Sequence, residues 1–214
     1  VAASTDTTIT LGNNFDATND GIEFIVGGSS VTIEGRNSAN TIDVSGATLV
    51  NIQSINLLGG ADTFIGSSDA DIVNGGGGAD VLDGLGGPNV LTGGDGSDTF
   101  RISIDDGEVD TITDFVEGED TLDLALLASA GVTPENIGDF VRVSRGSAVV
   151  SVDTDGAGIS TEFSDVAILE NFNESALTIS IGGSSYLLSI DDAEAPTLDL
   201  DSGAAGDQHI GAIN

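Results

Sequence analysis

Between residues 57 and 101 the chain repeats every nine residues, and no other feature limits its possible folds as strongly. Cut at nines, the stretch reads LLGGADTFI, GSSDADIVN, GGGGADVLD, GLGGPNVLT and GGDGSDTFR. Glycine recurs in the first four places. The sixth holds Asp62, Asp71, Asp80, Asn89 and Asp98, and the eighth holds Phe64, Val73, Leu82, Leu91 and Phe100. A unit this short cannot bury an apolar face alone, so successive units must stack. The last three places suit a short strand whose middle residue, the eighth, points inward. Glycine supplies positive φ and lets backbones approach closely in the turn. Each unit is then half of a flattened coil, and the turns on one edge come from alternate units, eighteen residues apart. Asp62, Asp80 and Asp98 fall on one edge. Asp71 and Asn89 fall on the other, where Asp105, Asp106 or Asp110 can complete the next turn.

Charge says what must hold such turns together. Four arginines (Arg36, Arg101, Arg142, Arg145) face 36 acidic residues, a formal net charge of −32. Nucleic acid and anionic membranes would be repelled, so neither is expected as a partner, and no direct membrane insertion is expected. Self-repulsion favours an extended chain until cations neutralise it. There is no cysteine, hence no disulfide and no thiolate site, which leaves metal as the staple. Calcium takes about 6–8 carboxylate and carbonyl oxygens, more than one nine-residue turn offers, so two turns must share an ion. Ions are expected between 62 and 80, 80 and 98, and 71 and 89, with another past 89: several, about four or more. The fourth unit is the weak one. Asn89 lacks charge, Leu85 interrupts the glycines and Pro88 stiffens the turn, so a weaker site is expected there. No enzyme is expected: the only histidine is His209, there is no His-Glu-x-x-His, and no lysine is present for a phosphate loop.

The unit resembles the calcium-binding nonapeptide of the RTX (repeats-in-toxin) family. DTITDF (110–115) followed by GEDTLDL (118–124) resembles the segment after RTX repeats in proteins exported by type I secretion. The resemblance implies an all-β fold, a parallel β-roll flanked by short N-terminal strands and a C-terminal β-rich cap. It implies ligands from turn carbonyls and sixth-place carboxylates. Leu58, Gly60 and Asp62 would face Gly75, Gly77 and Asp80. Gly76, Gly78 and Asp80 would face Gly93, Asp95 and Asp98. Ser67, Asp69 and Asp71 would face Gly84, Gly86 and Asn89. Asp110 and Asp114, near Asp120 and Asp123, are expected at a further site where the roll ends. TPENIGDFVRV (133–143), a hairpin and an acidic tail resemble the C-terminal end of large RTX adhesins. The implied function is a calcium-dependent folding and export module, unfolded in low calcium and folding outside the cell. Its transient partner would be the type I secretion machinery. Its place would be outside, or on the surface of, a Gram-negative bacterium, and the fragment is expected to be monomeric. The alternatives are the calcium-binding C-terminal half of a secreted protease or lipase, or a ligand-binding module.

Four segments are expected. Residues 1–34 carry short strands at 7–11, 21–26 and 30–35. Residues 35–108 form the roll. They begin with an eroded unit, GRNSANTID (35–43), that has Asn40 in the sixth place and Ile42 in the eighth, and continue as strand without a metal turn over 44–58. Residues 109–190 form the cap, with strands at 109–115 and 120–127, a helix capped by Thr133 with Pro134 in its first position, and a hairpin over 139–156 turning near Arg145. Asp153, Asp155 and Gly156 read as part of that hairpin. Residues 191–214 are an acidic tail and part of the secretion signal.

Overall fold

The computed structural model describes residues 8–103, 108–144, 148–154 and 163–190. Along the chain, strands are dealt alternately to two sheets. One receives β1 (Thr8–Thr10), β3 (Phe24–Asn37), β5 (Thr48–Gly59), β7 (Ile72–Gly77), β9 (Val90–Asp95) and β11 (Asp110–Ile112). The other receives β2 (Asn14–Asp16), β4 (Thr41–Asp43), β6 (Thr63–Ile65), β8 (Val81–Asp83), β10 (Thr99–Arg101) and β12 (Thr121–Asp123). Every neighbouring pair in these two series is parallel, which makes the chain a parallel β-roll. In the clean repeat, partners lie eighteen residues apart, as in Thr63↔Val81 and Ile72↔Val90. The eighth-place residues Phe64, Val73, Leu82, Leu91 and Phe100 stack between the sheets, none more than 1% exposed. Each such burial contributes about 1.5–3 kcal/mol.

The roll starts earlier and ends later than the repeat suggests. β1 and β2 are its first strands, paired Thr8↔Thr32 and Asn14↔Thr41, and β3 runs straight through the expected 34/35 boundary. Residues 8–34 are therefore part of the roll and do not flank it. Their turns are longer, so partners lie 24 and 27 residues apart while the backbone register stays parallel. At the other end β11 and β12, expected in the cap, pair with β9 and β10 and belong to the roll.

The cap continues both sheets. After β12 come a 3-10 turn (Ala125–Ser129), helix α1 (Ile137–Phe140) and an antiparallel hairpin of β13 (Val141–Ser144) and β14 (Val149–Val152). β15 (Ser164–Leu169) then pairs parallel with β11, and β16 (Ala176–Ile181) with β12. Both pairings, Asp110↔Ala167 and Leu122↔Ile179, span 57 residues, so the cap is one more coil with a hairpin inserted. β17 (Ser184–Ser189) ends the second sheet antiparallel. Phe115 bridges roll and cap, its ring 6.0 Å from Phe100 and 5.9 Å from Phe172. The Glu117 carboxylate accepts the N–H (2.9 Å) and hydroxyl (2.6 Å) of Thr178.

The expected helix start is displaced. Asn136, not Thr133, occupies the N-cap position of α1, and its side chain makes no capping hydrogen bond to the helix. The Asn136 Oδ1 first accepts the Thr133 N–H (2.6 Å), closing a turn over Pro134 and Glu135 before the helix begins. Asp105, Asp106, the turn at Arg145, Asp155, Gly156 and the whole of 191–214, including His209, lie outside the described residues.

Candidate metal centre

Turns 57–62, 75–80 and 93–98 share one backbone conformation. Their second and fourth places, Leu58 and Gly60, Gly76 and Gly78, Gly94 and Gly96, all have φ between 79° and 139°. At Gly76 and Gly94 only glycine fits between the stacked turns: a Cβ on Gly76 would strike the carbonyl of Leu58, and one on Gly94 would strike the carbonyl of Gly76. The same-place carbonyls of successive turns are thereby brought into line.

The sixth places form a buried ladder beside them. On the first edge the Asn40 N–H donates to Asp62 Oδ1 (2.6 Å) and the Asp62 N–H to Asp80 Oδ1 (2.7 Å). The Asp80 N–H donates to Asp98 Oδ1 (2.8 Å) and the Asp98 N–H to Asp120 Oδ1 (2.9 Å). On the second edge the Asp71 N–H donates to Asn89 Oδ1 (2.9 Å), and the Asn89 N–H to Asp110 Oδ1 (3.0 Å). Asp62, Asp80 and Asp98 are each 1% exposed. The Oδ2 of all three is buried with no hydrogen-bond partner. Arg101 does not neutralise them, since it pairs with Asp83 (3.6 Å) and Asp123 (3.4 Å) on the second sheet. A buried carboxylate oxygen without donor or counter-charge is costly, and three in register call for cations.

The donor set suits calcium, because every oxygen is a hard carboxylate or carbonyl. Among the described residues no three acidic, His or Cys side chains are grouped to hold a metal. The buried carboxylates of the first edge, Asp62, Asp80 and Asp98, each come from a different turn. Leu58, Gly60 and Asp62 stand against Gly75, Gly76, Gly77, Gly78 and Asp80, and these against Gly93, Asp95 and Asp98. The third-place carbonyls of Gly77 and Asp95 accept the N–H of Gly60 and Gly78, each at 2.7 Å.

The second edge is better satisfied without metal. Asp71 Oδ2 accepts the N–H (2.9 Å) and hydroxyl (3.2 Å) of Ser67, and that hydroxyl also meets the Asp69 carbonyl (3.3 Å). Gly86 donates to the Ser67 carbonyl (3.2 Å), and Gly84 lies under Asn89. Of the residues expected to close the roll, Asp110 takes the next rung. Asp114 instead spends both oxygens on backbone, accepting the N–H of Gly93 (2.9 Å) and Gly94 (2.8 Å). Asp120, placed near that site from sequence but not among its expected ligands, is a rung as well. Its signal was the spacing to Leu122, which repeats the sixth-to-eighth pattern, and Leu122 is fully buried.

Burial pushes the Asp80 carboxyl up to about 6; the Asp62 and Asp98 charges add to this and the Asp62 N–H opposes it. Burial also raises Asp71, Asp98 and Asp120. A raised folded-state value means the unfolded chain loses its proton first, so the metal-free roll loses stability as pH climbs from the ordinary 3.8 through about 6. In chelator, strand content should therefore rise as pH falls from 7 to 5. In calcium the same protonation competes with the metal and should weaken binding. Circular dichroism across this range checks both signs, and a pH-independent metal-free chain would contradict the first.

A repeating parallel roll whose turns aim unsatisfied oxygens into a seam defines the class as a metal-binding β-solenoid. Residues 56–91 and 75–101 match the family described as RTX calcium-binding nonapeptide repeat (4 copies). Residues 56–101 are thus RTX calcium-binding repeats. Similar solved structures include the crystal structure of the C-terminal domain (RV) of MpAFP, at 24% identity over 59% of this chain and 97% of that one, TM-score 0.37. Another is the solution structure of the AlgE6R3 subunit from the Azotobacter vinelandii mannuronan C5-epimerase, at 25% identity over 89% and 97%, TM-score 0.39. No curated protein matches the chain.

Proposed function

We propose that this chain is the calcium-dependent folding and export module of a type I-secreted RTX adhesin. The observation that carries the reading is the row of three buried carboxylates, Asp62, Asp80 and Asp98, each with an unpartnered oxygen in a chain of net charge −32. Such a seam is self-repelling without cations and closes when they arrive. In low calcium the chain stays extended and can thread an exporter. Outside, calcium bound by the turn carbonyls and sixth-place carboxylates lets the roll close, and β15 and β16 complete it. Folding of the emerged part opposes return through the exporter. Residues 191–214 supply part of the secretion signal in this reading. In a Gram-negative host carrying a type I exporter, removal of 191–214 should abolish appearance of the chain in the medium. The purified truncation should bind as much calcium as the full chain. Normal export of the truncation would count against the reading.

A further inference from the structure

Two rungs of the ladder are asparagines. We propose that Asn40 and Asn89 are built-in replacements for calcium: each side-chain amide holds the turn oxygens that an ion would otherwise gather. This rests on the reading of the aspartate turns as calcium sites, and the experiment below separates the two.

Asn89 shows the arrangement most fully. Its Oδ1 is used by the Asp71 N–H (2.9 Å). Its Nδ2 donates to the carbonyl of Gly87, the fourth place of its own turn (3.0 Å), and to Oδ1 of Asp110 on the next turn (2.9 Å). In Asp71, Asp80 and Asp98 the atom over the first-place glycine (Gly66, Gly75, Gly93) is Oδ2. In Asn89 the atom over Gly84 is Nδ2. The position that presents an acceptor in the aspartate turns here presents a donor, and an NH₂ group does not ligate a hard cation.

Asn40 repeats the pattern at the start of the other edge. The two hydrogens of its Nδ2 are shared among the carbonyl of Arg36 (2.9 Å), the carbonyl of Ser38 and Asp62 Oδ1 (2.9 Å). Arg36 and Ser38 are the second and fourth places of that turn, equivalent to Leu58 and Gly60 in the next. Asn40 Oδ1 is buried without a donor, so the ladder of this edge begins at Asn40. Neither amide can be turned round: flipping would set carbonyl oxygen against carbonyl and carboxylate oxygens. Asn89 was expected from sequence to be a weak calcium ligand; the structure gives its oxygen to backbone and aims its amide at the seam.

Charge separates the two kinds of rung. An aspartate rung adds a buried negative charge and calls for a cation, whereas an asparagine rung adds none and donates to the carboxylate of the next turn. The roll thus carries metal-free latches at Asn40 and Asn89 beside the metal-dependent row 62–80–98.

The test is calcium stoichiometry, measured by titration calorimetry and by direct ion counting after gel filtration, on the full chain and its variants. Asn89→Ala should bind as many ions as the parent. Asn89→Asp and Asn40→Asp, which keep the side-chain shape, should each bind one ion more and need calcium to protect the amides of that seam from hydrogen exchange. Loss of one ion in Asn89→Ala, or an unchanged count in both Asp variants, overturns the latch. A parent that binds no calcium overturns the underlying calcium reading and the latch with it.

Discussion

Stripping calcium with a chelator is expected to unfold residues 57–110, and adding it back to restore them. The cause is the ladder: three carboxylates, each 1% exposed, stand in one column with Oδ2 unpaired. With calcium at about 10–100 times its dissociation constant, each independent ion stabilises the fold by about 1.4–2.7 kcal/mol. Two to four ions then supply roughly 3–11 kcal/mol, comparable to the stability of an ordinary domain. The predicted loss is of strand signal in circular dichroism, reversed by calcium. The acidic-pH gain described above should appear only in the chelated sample. Unchanged strand content in excess chelator at neutral pH would defeat the prediction.

The single substitution with the largest expected effect is Asp80→Ala. Asp80 Oδ1 accepts the Asp62 N–H (2.7 Å), its own N–H feeds Asp98 (2.8 Å), and its carboxylate stands between two proposed ions. Alanine removes a shared ligand, at about 3–5 kcal/mol for two ions. It also strands the buried Asp62 N–H, at about 1–3 kcal/mol more. Calcium stoichiometry should fall by two, and the calcium concentration at the folding midpoint should rise by at least about tenfold. Asp62→Ala, nearer the end of the column, should do less. Equal effects from the two would remove Asp80 from its central role.

Much of this was legible in the sequence because a nine-residue phase survives only where both turns of a coil are minimal. There, place predicts burial: the sixth residues became rungs and the eighth residues became core. Elsewhere the strands stayed parallel while the phase was lost. Thr41 pairs with Thr63 across 22 residues and Thr8 with Thr32 across 24, so the first coils read as unrelated strands. The coil made by β15 and β16 was hidden for the same reason, 57 residues from its partners. Asp114 was read by residue type, and type cannot tell a metal ligand from a carboxylate that caps two glycine N–H groups. The roles of Asn40 and Asn89 depend on which amide atom faces the seam, which no spacing reveals.

The ladder also has a direction. On both edges every rung donates its N–H to the carboxylate or amide oxygen of the turn that follows it in sequence, never the reverse. A turn is therefore sealed by its successor, and the first edge terminates on Asp120, whose Oδ2 accepts the Val116 N–H (2.8 Å). The column is therefore polar: the acceptor of each rung lies on its carboxyl-terminal neighbour, from Asp62 through Asp80 and Asp98 to Asp120.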